Sequence, residues 1–308
     1  MKIMVLGGTG FAGQRLVAGL IARGHQVSVV TRDAGSFALI EAAGARPILG
    51  SLYEADALVA AAGPQEMVIN VARPPFEPQR YSRRQFARLR DQVTAMAATT
   101  ITLCKKLDCP TIVTQGSAYA TRGDEVADES WPLSLVGLTE MATDAIPLVE
   151  KALREGAPLL VMHPASIYGP GGLFLRQYYQ AMKKGRYRVI GAGNNYFPWV
   201  HVDDLVAAYL LAVEKQPLGQ HFILADDVPC TMREFGEHLA KCLGARRPGS
   251  VPGFVVRLVM GRYIHELVTM NCRVSNARAR AVLGWDLRYP SYKEGIPASI
   301  AVIESQPE

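Results

Sequence analysis

The chain has 308 residues, 49% of them hydrophobic and 20% charged, enough to bury a large core in one sizeable domain or two small ones. Its formal net charge of +5 is modest, and no apolar run reaches the ~18 residues of a membrane span, so neither a nucleic-acid-binding nor a membrane-embedded protein is expected. Cys104, Cys109, Cys230, Cys242 and Cys272 are odd in number and lack C-x-x-C spacing, which reads as reduced thiols in a cytoplasmic protein without a metal site.

Residues 1–13 read MKIMVLGGTGFAG, an apolar run from Ile3 to Leu6 followed by Gly7, Gly8, Gly10 and Gly13. A helical pattern follows from Gln14 to Arg23, with Leu16, Val17, Leu20 and Ile21 on one face. Strand, glycine turn and helix in that order form a dinucleotide site: Gly7 for the tight turn, Gly10 for close approach of the pyrophosphate, Gly13 for close packing of the helix. The pyrophosphate then lies on the unpaired N–H groups and positive dipole end of the helix. Because these residues already serve as the first strand, no signal peptide is expected ahead of them. The spacing is G-x-x-G-x-x-G, with Phe11 inside it. It resembles the atypical and extended branches of the short-chain dehydrogenase/reductase superfamily, of the NAD-dependent epimerase/dehydratase type. The resemblance implies a Rossmann-type doubly wound α/β sheet with a small C-terminal substrate lobe, cofactor contacts from Gly7, Thr9, Gly10, Phe11 and Gly13, and a homodimer.

The second strand, Gln26–Val30, ends in Thr31-Arg32-Asp33. A hydroxyl followed by a guanidinium suits a 2′-phosphate and so NADP(H). Asp33, about twenty residues past Gly13, is the competing NAD(H)-type acid. Residues 45–49 read as the third strand, leading into Gly50-Ser51-Leu52, where the family carries Gly-Asp-Leu near the adenine; Ser51 and Leu52 are the matching contacts. The fourth strand, 67–71, ends in Val71, then Ala72 as in relatives, then Arg73-Pro74-Pro75, a departure from their small residues. Pro164, after the sixth strand, completes the cofactor set, its backbone expected near the nicotinamide.

A long helix is predicted from about 82 to 106, with Gln92 nearest to the family's active-site Asn. Arg73, Arg80, Arg83, Arg84, Arg88 and Arg90 crowd its approach. They read first as a solvated helix face, second as an anion site for a phosphorylated substrate. Nucleic acid ranks last, since no aromatic stacking pattern accompanies them.

The fifth strand, Thr111–Thr114, leads into Gln115-Gly116-Ser117-Ala118-Tyr119. This resembles the segment delivering the family's catalytic Ser, which Ser117 matches if one residue is deleted; a turn serine is the alternative. The family's Tyr-x-x-x-Lys pair is absent. Counting back from Glu150 puts Ile146 and Ala142 at those positions, and residues 120–150 contain neither Tyr nor Lys. Tyr179 and Lys183 have the spacing but lie too late in the chain. The sixth strand, Pro158–Met162, precedes His163-Pro164-Ala165-Ser166-Ile167-Tyr168-Gly169-Pro170, a family-like segment with His163 for Arg. Ser117, Tyr119 and Tyr168 are therefore the candidate catalytic donors, a phenol needing a cation such as Arg73 to work near neutral pH.

Asp203 or Asp204 is expected to cap a helix beginning at Leu205. Phe254 to Met260 form an apolar patch expected in the core, or else lining an apolar substrate pocket. The expected division is a dinucleotide-binding domain over 1–172, with 196–226 returning to it, and a substrate lobe from 173–195 and 227–308. The resemblance implies an NADP(H)-dependent oxidoreductase or epimerase-like enzyme acting on a small molecule, less polar than a nucleotide sugar. A non-redox lyase, isomerase or cyclase and a catalytically inactive NADP(H)-sensing protein are the alternatives.

Overall fold

A computed structural model describes residues 1–74 and 80–305; Pro75 and the last three residues of the expected lobe lie outside them. In chain order the first half is β1 (Lys2–Leu6), α1 (Phe11–Ala22), β2 (Gln26–Thr31), α2 (Phe37–Ala42), β3 (Arg46–Leu49), α3 (Ala55–Ala62), β4 (Met67–Asn70), α4 (Arg83–Leu107) and β5 (Thr111–Thr114). A 3₁₀ turn at Gly137–Ala142 leads to α5 (Ala145–Arg154), β6 (Leu159–Pro164) and β7 (Ser166–Tyr168). A π-helical turn at Phe174–Tyr179 then runs into α6 (Gln180–Lys183), β8 (Arg188–Ile190), β9 (Tyr196–Phe197), β10 (Trp199–His201), α7 (Val202–Lys215) and β11 (His221–Leu224). The chain closes with β12 (Cys230–Thr231), α8 (Met232–Cys242), β13 (Gly249–Val251), α9 (Gly253–Thr269), α10 (Ala277–Leu283) and α11 (Tyr292–Ser305).

Seven strands form one parallel sheet in the order β11-β6-β5-β4-β1-β2-β3. The order reverses between β1 and β4, which opens a crevice at the carboxyl ends of these strands. Ile3, Met4, Val5 and Leu6 are at most 1% exposed because helices cover both faces. On one face α1, α7 and α10 pack with Leu16, Leu20, Leu205, Tyr209 and Leu283. On the other, α3, α4 and α5 contribute Leu58, Leu103, Ala145 and Val149.

A second core is aromatic. Trp199 stacks on Phe235 at 4.0 Å, with Tyr168, Phe174, Tyr178 and Phe197 set edge-on or tilted around them. Met270, Cys272, Val274, Ala279, Leu283 and Trp285, all within the expected lobe, pack instead into the core of the large sheet.

Three local expectations are corrected. The helix that the sequence suggests over about 139–154 starts only at Ala145: Pro147 has no N–H to bond the carbonyl one turn back, so Ala142 sits in the separate 3₁₀ turn. The cap of α7 is His201, whose Nδ1 accepts from the Asp203 N–H at 3.2 Å. Asp204 is buried and accepts from the backbone N–H groups of Arg288 and Tyr289 at 2.7 and 2.9 Å, tying α7 to the chain after α10. Third, Phe254, Leu258 and Val259 are not core residues: they stand exposed on α9.

Candidate functional site

The glycine-rich turn has the shape of a phosphate cradle. Gly7 has φ +84°, and a Cβ there would lie 2.6 Å from the Ala72 backbone, so only glycine lets the chain after β4 come this close. A Cβ on Gly13 would stand 2.1 Å from the Gly7 carbonyl oxygen. Gly10 caps α1 without a side-chain hydrogen bond, leaving the first N–H groups of a twelve-residue helix for an anion. The Phe11 ring lies against Gly171 and Gly172, and Arg15 donates to the Pro170 carbonyl at 2.8 Å, so the loop after β7 is fastened to this turn. Thr9 is half-buried beside it. Asn70, buried at the end of β4, donates to Thr100 Oγ1 and accepts from the Ala72 N–H, which fixes Val71 and Ala72 over Gly7.

At the end of β2 the two competing groups part. Asp33 Oδ1 accepts from the Gly35 N–H at 2.9 Å and caps a short 3₁₀ turn, while Thr31 Oγ1 accepts from the Asp33 N–H. Arg32 stands exposed next to them. Ser51 and Leu52 follow β3, with Ser51 Oγ accepting from the Tyr53 N–H. Arg73 follows Ala72 at the crevice. Burial lowers its pKa, and repulsion from Arg176 on the π-helical turn lowers it further. A cavity of about 160 Å³ lined by Gln177, Tyr178, Tyr187 and Asn195 opens beside that turn, within the lobe.

The three candidate donors are not brought together. Ser117 is half-buried, its hydroxyl donating to the His163 carbonyl at 2.8 Å and its N–H to the Pro164 carbonyl at 3.1 Å. Tyr119 is 2% exposed, and burial followed by the charge of Glu129 raises its pKa, with no cation among the described residues set against it. Tyr168 is fully buried, its Oη 3.1 Å from Asp226 Oδ2 and 3.2 Å from the Ser291 carbonyl, inside the aromatic core. Its hydroxyl is thus engaged in joining the lobe to the sheet and has no access to a substrate in this conformation.

Gln115 was passed over in the sequence. Both its Oε1 and Nε2 are buried without a hydrogen-bond partner. Thr114 turns its hydroxyl to Tyr209 of α7 at 2.6 Å, so by strand alternation Gln115 faces the other side, with Val113. Val113 packs against Ala97, Ala145 and Val149, which places Gln115 just above the start of α5, where Ala142 and Ile146 replace the polar pair. The signal available in the sequence was that two-residue step from Val113.

The histidines are structural. His163 Nε2 and His221 Nδ1 are 3.0 Å apart; burial pushes His163 down to about 3 and keeps it neutral. His201, pushed down to about 4 by burial, caps α7 through Nδ1 and contacts Ser299 Oγ through Nε2. Lys183 donates to Tyr179 and pairs with Glu304, a knot between α6 and α11 remote from the glycine turn.

Fold and glycine cradle together define a Rossmann-type dinucleotide-binding protein of the short-chain dehydrogenase/reductase superfamily. The model of the NAD dependent epimerase/dehydratase family matches residues 3–225, and the chain belongs to that family. It is 28% identical to a 3-diazoavenalumate denitrifying reductase of a Streptomyces species, over 96% of this chain and 99% of that one. A 4-hydroxy-2-methyl-3-oxo-4-farnesyl-3,4-dihydroquinoline-1-oxide ketoreductase of Stigmatella aurantiaca is 27% identical over 82% of this chain and 76% of its own length. The crystal structure of human epimerase family protein SDR39U1 (isoform 2) with NADPH superposes with TM-score 0.81 at 24% identity, covering 99% of this chain and all of that one. The chain is thus a member of an NAD-dependent family, and its glycine cradle is the site that fits the dinucleotide.

Proposed function

We propose that the protein is an NADP(H)-dependent reductase of a small, largely apolar carbonyl compound. The observation that carries the cofactor choice is the end of β2, where Asp33 and Arg32 both stand exposed but Asp33 Oδ1 already accepts from the Gly35 N–H. A guanidinium fork there suits a 2′-phosphate, and a carboxylate already accepting from its own turn is a poor partner for ribose hydroxyls. The reductase and ketoreductase names of the two relatives, one with a farnesylated substrate, and the NADPH of the human structure agree with this reading.

The cradle residues Gly7, Gly10 and Gly13 fit a pyrophosphate, with Thr9 and Phe11 flanking it. Thr31 and Arg32 would hold the adenosine phosphate, Ser51 and Leu52 the adenine, and Val71, Ala72, Arg73 and Pro164 the nicotinamide half. The bound nicotinamide supplies or accepts the hydride. The chain's own task is then to bind the substrate oxygen and move a proton to it. Gln115 Nε2–H would hydrogen-bond that oxygen once its buried amide is uncovered, and Ser117 would supply the proton by exchanging its bond to the His163 carbonyl. Ala142 and Ile146 make the facing wall apolar, which favours a less polar substrate. We further infer a cytoplasmic homodimer, in keeping with five free thiols.

Fluorescence titration tests the cofactor reading. NADPH is expected to bind about tenfold or more tightly than NADH, and Arg32→Ala to erase the difference. Equal affinities in the parent protein would sink the assignment. A cofactor-binding protein without turnover is the second reading, favoured by the lack of any Tyr or Lys from 120 to 150; a purified protein that binds NADPH but oxidises none of it with a panel of ketones would select it.

A further inference from the structure

Two features that the nucleotide site leaves unused meet on one surface. On α9, Phe254, Leu258 and Val259 are 72%, 68% and 62% exposed. At helical spacing they share one arc, with half-exposed Val255 between them and exposed Arg257 at its edge. Exposed apolar clusters of this kind mark interaction sites rather than ordinary surface. Beside the arc runs the arginine-rich approach to α4. Arg80 donates to the Leu258 carbonyl at 3.2 Å, and its side chain lies 3.1 Å from where a Cβ on Gly261 would stand. Six residues on, Phe86 stacks on Tyr263 at 3.7 Å. Arg83, exposed and one turn before Phe86, therefore lies along the same edge, as does Arg80, whereas Arg84 and Arg88, two residues either side of Phe86, turn to the far side of α4.

These arginines are poorly placed for the helix itself. The first turn of α4 contains no acid, so Arg83 and Arg84 sit at the positive end of the helix dipole. Arg84 and Arg88 are like charges at i,i+4. Arg90 is neutralised by Asp144 at 3.1 Å, whereas Arg83, Arg84, Arg88 and Arg257 form no ion pair among the described residues. An anionic plane laid against this edge would relieve the charge at the start of α4 and cover the apolar arc at once. A second copy would bring only the same basic and apolar patch to this face and no acid to pair with Arg83 or Arg257.

We propose that this face docks on an anionic lipid bilayer, the apolar arc of α9 entering at headgroup depth and Arg80, Arg83 and Arg257 resting on lipid phosphates. No helix among the described residues is long and apolar enough to cross a membrane, so the association is interfacial.

Co-sedimentation of the full chain with phosphatidylcholine vesicles and with phosphatidylcholine–phosphatidylglycerol vesicles tests this. Binding is expected to be at least about tenfold tighter to the anionic vesicles and to weaken with added salt. The triple variant Phe254→Ser, Leu258→Ser, Val259→Ser and the double variant Arg83→Glu, Arg257→Glu should each lower it by about tenfold or more, with melting and NADPH binding unchanged. In case these variants fail to fold, Phe254→Trp gives an independent reading: its emission should shift to the blue on adding anionic vesicles. Any one of three results overturns the proposal: no vesicle binding by the parent chain, which leaves an acidic protein as the occupant; equal binding to both vesicle types; or an apolar-arc variant that changes only the sedimentation size of the free protein, which would mark a self-association surface.

Discussion

Leaving a buried amide without partners costs about 1–3 kcal/mol per unsatisfied group, and Gln115 carries two such atoms at the carboxyl end of β5. In folded proteins such a group is completed by an ordered water, an ion or a ligand, and at the carboxyl end of β5 the proposed substrate would fill that place. Gln115→Leu is therefore expected to move stability and activity in opposite directions. The variant should melt at the parent temperature or higher, since it exchanges an unsatisfied amide for an apolar side chain of similar size. Reduction of a carbonyl substrate should fall by roughly 10²-fold, the typical loss when one oxyanion donor is removed, with NADPH affinity unchanged. Thermal melts, titrations and steady-state kinetics on one preparation check all three. A destabilised variant with unaltered turnover would make Gln115 a packing residue.

Among the elements, α4 and α5 carry the assembly prediction. The exposed side of α4 presents Ala98 with half-buried Ala95 one turn earlier, small residues that let a second helix approach closely. Ala97 is turned inward against Val113 and takes no part. The expected dimer sediments as one species at micromolar concentration, and Ala98→Arg splits it into monomers without lowering cofactor affinity. A parent chain that sediments as a monomer would count against it. The shortness of α5 also shows what the sequence could and could not reveal. Local signals were legible: the G-x-x-G-x-x-G turn, the buried run Ile3–Leu6, and Ser82 with Gln85 as a capping box that starts α4 at Arg83. Features set by distant contacts were not. Tyr168 looks like a site tyrosine until Asp226 and Ser291, far along the chain, close on its hydroxyl. Phe254 to Met260 looks like core because periodicity reports that a face is apolar, and it cannot report whether anything packs on that face.

Across the whole molecule, one polar seam joins the aromatic lobe to the large sheet, and Tyr168 is its centre. One phenolic proton cannot serve both Asp226 Oδ2 at 3.1 Å and the Ser291 carbonyl at 3.2 Å. Burial raises the Asp226 pKa well above the ordinary carboxylate value. The tyrosine hydroxyl donates to Asp226 Oδ2 and lies within hydrogen-bond reach of the Ser291 carbonyl, so the carboxyl group and the backbone after α10 meet on one phenol. Gly295 completes the fit, because a Cβ there would lie 2.1 Å from the Tyr168 hydroxyl. Tyr168→Phe is expected to cost about 1–3 kcal/mol of stability through the stranded carboxyl group. Gly295→Ala must displace the ring and should cost at least as much, by overpacking added to the same lost bonds. Neither should change NADPH affinity. The sign with pH follows from Asp226. Its folded pKa is raised, so the stabilisation from its bound proton is complete below the unfolded carboxylate value and is lost as pH rises through the folded value. Melting followed from acid to alkaline pH should show that loss in the parent, and Asp226→Asn, which cannot titrate, should flatten it. A Tyr168→Phe protein that keeps its full stability but loses carbonyl reduction would return Tyr168 to the chemistry and dissolve the seam.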